Sequence, residues 1–67
     1  MKIVAERLKE LRLENNLTQQ DVANILKVSR VVYNRYENNQ RELPLELLKE
    51  LAEYYGVSSD YIIGIEN

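Results

Sequence analysis

The stretch LTQQDVANILKVSRVVYNRYEN, residues 17–38, reads as two short helices joined by a tight turn, and the fold follows from it. Thr18 is placed to cap the first helix. Its hydroxyl oxygen accepts from a backbone N–H of the opening turn, and Asp21 in that turn suits the positive helix end. Val22, Ala23 and Leu26 fall on one face, and this helix runs out at about Leu26. Lys27-Val28 make the connection. Ser29 caps the second helix, which reaches about Asn38 and turns Tyr33 and Tyr36 inward, three residues apart. Ala23 stands where the two helices approach closely, so a larger side chain there would prise them apart.

On the amino-terminal side, Val4, Leu8 and Leu11 recur at near-helical spacing and predict a helix over roughly residues 3–15. Leu13 is a further inward candidate, and Asn15-Asn16 form a plausible stop because Asn tolerates the left-handed conformation. On the carboxy-terminal side, Pro44 marks the first turn of a helix running to about Tyr55, with Leu48, Leu51, Ala52 and Tyr55 inward. Gly56 ends it. Ser58 or Ser59 caps a last short helix through Tyr61-Ile62-Ile63, closed by Gly64. No strand candidate stands out. The expected fold is all-α: one domain spanning residues 1–67, a compact five-helix bundle with a helix-turn-helix unit at about 18–38.

Composition narrows the chemistry. With 45% hydrophobic and 30% charged residues among 67, the chain reads as an ordinary globular domain with enough apolar side chains for a small core. It has neither Cys nor His, which removes thiolate and imidazole metal ligands and the commonest general base. No glycine-rich loop is present, and the carboxylates are scattered over solvated helix faces. An enzyme is therefore not expected, nor a cofactor, a metal or a small-molecule substrate. No apolar run approaches the ~20 residues of a membrane span. The start, MKIVAERLKE, meets charge too early for a secretory signal, so the expected location is the cytoplasm, at the nucleoid. The net charge of −2 hides an asymmetry: residues 1–43 carry eight basic against six acidic groups, and residues 44–67 one against five. The first two-thirds is the part that would face a polyanion.

Residues 7–63 resemble the phage-repressor-like (Xre/Cro-type) helix-turn-helix regulators. The resemblance rests on Leu8, Leu11 and Arg12; Leu17-Thr18-Gln19-Gln20; Val22-Ala23; Leu26; Val28-Ser29-Arg30; and Arg35-Tyr36-Glu37-Asn38. It continues through Leu48, Leu51-Ala52, Tyr55, Val57-Ser58 and Asp60-Tyr61-Ile62-Ile63-Gly64. It implies a lambda-repressor-like fold and a bacterial or phage regulator, more often a repressor. Such a regulator binds double-stranded DNA with its third helix in the major groove. On that helix the face away from the tyrosines carries Arg30, Val31, Asn34 and Arg35. Arginine reads guanine, asparagine reads adenine and a valine methyl packs on thymine's methyl, so these four are the expected base readers.

The resemblance further implies a phosphate contact at Gln19 and a loop after helix 3 that runs close to the DNA backbone. Thr18, Gln19, Ser29, Asn38 and Arg41 are the expected phosphate contacts. Arg12 and Glu37 match a pair that in the family bridges helix 1 to the end of helix 3. Two departures stand out. Lys27 occupies a turn position where the family usually has Gly, so either the turn adopts the left-handed conformation anyway or its geometry differs. Tyr33 replaces a smaller aliphatic residue, and its hydroxyl either finds a partner inside or tips toward the DNA.

Family members usually pair about a two-fold axis to read an inverted repeat. Leu43, Leu45, Leu47, Tyr61, Ile63 and Ile65 cannot all fit inside so small a domain. Leu43, Leu47, Tyr61, Ile63 and Ile65 are the expected homodimer patch, the alternative being that they cover the core's edge or meet a further domain. The rival function is a protein-interaction module of the same fold, for instance an antitoxin, which net acidity favours. Single-stranded nucleic acid is not an expected ligand, because the tyrosines fall at core spacing.

Overall fold

The computed structural model describes residues 1–65, which form α1 (Lys2–Glu14), α2 (Gln19–Leu26), α3 (Arg30–Glu37), α4 (Leu45–Tyr55) and α5 (Ser59–Ile63), with no strand among them. The caps are those the sequence calls for. Thr18 Oγ1 accepts from the Asp21 amide at 3.0 Å, while the Asp21 carboxylate accepts from the Thr18 amide at 2.9 Å, a reciprocal capping box. Ser29 Oγ accepts from Val32 N at 3.1 Å and Ser58 Oγ from Tyr61 N at 3.0 Å. Pro44 stands just outside α4 as its N-cap, one residue earlier than a first-turn position, and its carbonyl accepts from Leu47 and Leu48.

Each of these helices closes with the same backbone turn. One residue adopts the left-handed conformation, and the next donates its N–H back across six residues. The left-handed residues are Asn16, Lys27, Asn39, Gly56 and Gly64, and the returning bonds run from Leu17, Val28, Gln40, Val57 and Ile65. Leu17, Val28 and Val57 pack against the core, so those three turns also contribute an apolar anchor. Gln40, after α3, is exposed instead. Lys27, at φ 58°, does adopt the strained geometry. Lys27→Gly is therefore expected to raise stability by roughly 0.5–1 kcal/mol, less whatever the freer unfolded chain takes back. Urea titration followed by circular dichroism measures it, and a loss of stability would show that the lysine stem contributes more than the strain costs.

The core gathers Leu8, Leu11, Val22, Ala23, Leu26, Tyr33, Tyr36, Leu48, Leu51, Ala52 and Ile62 from all five helices. Ala23 is fully enclosed, as the close approach of α2 and α3 requires. Tyr33 and Tyr36 meet edge to face with ring centroids 6.4 Å apart. On α1 one expectation needs correcting: Leu13 is 55% exposed, and Ala5 is buried in its place. The reason is angular. Position 13 lies two residues beyond Leu11, about 200° round the helix, whereas Ala5 stands three before Leu8 and shares its face. No helix among the described residues is long and apolar enough to cross a membrane.

Candidate nucleic-acid interface

Because α3 spends Tyr33, Tyr36 and Glu37 on the interior, its outer face is fixed by helical geometry. Arg30 and Arg35 are exposed, and Val31 is 54% exposed, an apolar side chain standing in solvent between cations. Neither arginine forms an ion pair among the described residues, so both guanidinium groups keep all their donors. Val32 is half-buried at the edge of this face. Asn38, Asn39 and Arg41 follow α3 on an exposed loop.

Asn34 differs from the other three expected readers. It is half-buried, and its side-chain amide is engaged on both sides. Nδ2 donates to Gln19 Oε1 at 3.1 Å, and Oδ1 accepts from Asn38 Nδ2 at 3.0 Å. Gln19 in turn donates through Nε2 to Glu37 Oε1 at 3.3 Å. Glu37 ends the chain in a two-pronged pair with Arg12, Nε to Oε2 at 2.6 Å and Nη2 to Oε1 at 3.1 Å. The third guanidinium nitrogen of Arg12 donates to the Leu17 carbonyl at 3.0 Å, in the turn between α1 and α2. Sequence reasoning identified the Arg12 and Glu37 pair but had no signal for the amides, which meet across 15 residues of chain.

Electrostatics follow from this geometry. Burial works to raise the Glu37 carboxyl, but the Arg12 guanidinium, with help from the Tyr33 hydroxyl and the Gln19 amide, outweighs it and holds the group below the usual carboxylate range. Its hydrogen bond to Glu37 raises Arg12 further still, against the cost of burial. Tyr33 is wholly enclosed, so its hydroxyl does not tip outward, and no hydrogen bond of good geometry satisfies it. Burial, and then the neighbouring Glu37 charge, push that phenol far above its ordinary value. The Tyr55 hydroxyl is likewise enclosed, and burial followed by the Glu37 charge pushes it up to about 12.

At the start of α2, Thr18 and Asp21 satisfy each other, leaving the amides of Gln19 and Gln20 as the open donors of that turn. Hydrogen bonds from the Thr18 backbone and then its hydroxyl hold the Asp21 carboxyl below its ordinary range. No group of His, Cys, Asp and Glu able to hold a metal occurs among the described residues.

Elsewhere an apolar groove of about 190 Å³ is lined by Met1, Val4, Glu42, Leu43, Leu45, Leu48 and Ile63. Leu45 and Ile65 are 68% and 71% exposed. Of the residues expected as a dimer patch, Leu43 and Ile63 line this groove, and Ile65 is exposed. Leu47 and Tyr61 do not line the groove; like Leu43 and Ile63 they are half-buried against the core, and Tyr61 carries the Arg7 guanidinium 4.6 Å above its ring.

Comparison with known proteins adds independent evidence. A family described as helix-turn-helix matches residues 8–62. The chain is 37% identical over 60 residues to the HTH-type transcriptional regulator YobD of Bacillus subtilis (strain 168), covering 90% of this chain and 54% of that protein. It is 36% identical over 53 residues to the cryptic phage CTXphi transcriptional repressor RstR of Vibrio cholerae, covering 79% and 48% of the two chains. It is also 32% identical over 62 residues to the antitoxin PezA of Streptococcus pneumoniae, covering 92% and 39%. The chain thus spans about half the length of the curated regulators it matches.

Proposed function

Since the chain belongs to the helix-turn-helix family, we propose that it binds double-stranded DNA in a sequence-specific manner and acts as a transcriptional repressor. The observation that carries this reading is the outer face of α3: two arginines without ion-pair partners among the described residues flank an exposed valine on a helix whose other side is locked in the core. A major groove admits one such helix, and this side-chain set matches guanine edges and thymine methyls. Arg30, Val31 and Arg35 are the base readers in this proposal. Gln19, Ser29, Asn38 and Arg41, with Thr18 at the cap, lie along the phosphates, and the protein works in the cytoplasm at the nucleoid.

Selection from a pool of randomised duplexes tests the reading. The protein is expected to enrich a defined sequence. Arg30→Ala and Arg35→Ala are each expected to relax preference at one base pair and to weaken binding by about ten- to a hundredfold. Enrichment of no sequence at moderate salt would refute direct readout by α3.

The groove between α1, α4 and α5 supports a homodimer reading an inverted repeat, with Leu43, Leu45, Ile63 and Ile65 meeting a second copy. Leu45→Glu, at an already exposed position, is expected to leave the fold intact and lower the mass seen by sedimentation to that of a monomer. A wild type that is itself monomeric at every concentration and on DNA would end the dimer proposal.

A second reading, a protein-binding antitoxin module, draws on the likeness to PezA and on the net charge of −2. Salt separates the two, because DNA affinity falls steeply as added salt competes with phosphate contacts.

A further inference from the structure

We propose that Asn34 is a positioning residue for DNA binding, acting through Gln19 and not by reading a base; this role rests on the DNA-binding reading above. The argument begins at Glu37, whose carboxylate, clamped by Arg12, can only accept hydrogen bonds. Gln19 must therefore turn its Nε2 toward Glu37, which turns its Oε1 toward α3. There the only complementary group Asn34 can offer is Nδ2, and it does so at 3.1 Å. Asn34 Oδ1 then faces Asn38, whose Nδ2 reaches it at 3.0 Å and also reaches the Asn34 backbone carbonyl at 3.0 Å. One buried carboxylate thus sets the polarity of three amides on two helices and the end of the second.

The consequence for recognition is chemical. To read adenine, an amide must donate and accept together from its free edge. Asn34 has its carbonyl oxygen bonded by Asn38 and one N–H bonded to Gln19, which ties the orientation of the amide to the protein instead of leaving it free to turn toward a base. Gln19 keeps one Nε2–H, at the start of α2 beside the open backbone amides of Gln19 and Gln20. The Nε2–H that Gln19 keeps matches a phosphate oxygen, which only accepts. Asn34 holds the Gln19 amide in that orientation. A glutamine in the first turn of a helix would otherwise sample many rotamers and lose entropy on binding.

The test takes the duplex enriched by the wild-type protein and measures its affinity for wild type, Asn34→Ala, Gln19→Ala and the double variant. The selection is then repeated with Asn34→Ala. Positioning predicts that Asn34→Ala recovers the wild-type sequence unchanged and binds it about tenfold more weakly. The salt slope should stay the same, since a neutral amide releases no counterions. The double variant should be no weaker than Gln19→Ala alone, because Asn34 acts only through Gln19. Relaxed preference at one base pair in Asn34→Ala would overturn the proposal, as would losses that multiply in the double variant or no loss at all. Circular dichroism melting checks each fold, and Asn34→Ser carries the same comparison if alanine destabilises the domain. Failure of the wild type to enrich any sequence is a different result: it removes the DNA-binding reading itself, and the positioning role goes with it.

Discussion

Arg12→Ala is expected to cost about 3–5 kcal/mol of folding stability and to leave the domain largely unfolded at 37 °C. The guanidinium is the two-pronged partner of a carboxylate whose side chain is only 3% exposed. Removing it strands a charge in the interior and also frees the Leu17 carbonyl, which Arg12 holds at 3.0 Å in the first interhelical turn. A chain this short has a total stability of roughly 3–10 kcal/mol, so the loss is of the same order as the whole.

The pH dependence carries a sharper signature than the magnitude. In the wild type the folded Glu37 carboxyl sits below its ordinary value. Its contribution is therefore complete above the ordinary glutamate range and is lost as pH falls through the lower, folded value. Without Arg12 the remaining dominant influence is burial, which raises a carboxyl. The folded variant then binds its proton more tightly than the unfolded chain does, and stability is gained as pH falls through the raised value. As pH falls toward the ordinary glutamate range, Arg12→Ala should thus gain stability while the Glu37 contribution in the wild type stays constant, in urea titrations followed by circular dichroism. Parallel responses would mean that the pair contributes no net interaction. Replacing both partners by Leu or Met should recover much of the loss, because the buried charge goes with its partner.

The parts of the fold legible in the sequence were those fixed by local chemistry. Thr18, Ser29 and Ser58 announce helix starts because a hydroxyl at that position satisfies an orphan amide, and Gly56 and Gly64 announce stops because they accept positive φ. Lys27 was less readable. A non-glycine residue gives no sign that it will adopt φ 58°, and here the requirement for α2 to turn sharply into α3 prevails over the local preference. The outer face of α3 was readable because two inward tyrosines at helical spacing leave Arg30, Val31 and Arg35 nowhere else to point. Asn34 was not, because its neighbours Gln19 and Asn38 come from another helix and from the far end of its own. The apolar groove was half legible. Leu43, Leu45 and Ile63 are apolar positions in excess of what so small a core can hold, but Met1 and Val4 join them only because α5 packs back onto α1.

That return of α5 onto α1 is the subject of the second large effect, the substitution Ile62→Ala, expected to cost about 2–5 kcal/mol. Ile62 is fully enclosed and is the only buried residue of α5. A helix from Ser59 to Ile63 is far too short to persist by its own hydrogen bonds, so its place depends on what that one side chain buries. The closing turn adds a second constraint. Gly64 lies against Ile3, so closely that an added Cβ would come within 2.7 Å of Ile3 Cγ1. Docking of α5 therefore positions Ile63 at the groove, opposite the wall that Met1 and Val4 contribute there. If this account is right, Ile62→Ala should do more than lower the melting temperature. At temperatures where α1 to α4 remain folded, amide exchange should accelerate first in residues 58–65, and the proposed self-association should weaken before the proposed DNA binding through α3 does. Uniform acceleration of exchange across all five helices would show instead that α5 is part of one cooperative unit and that Ile62 supports the whole core.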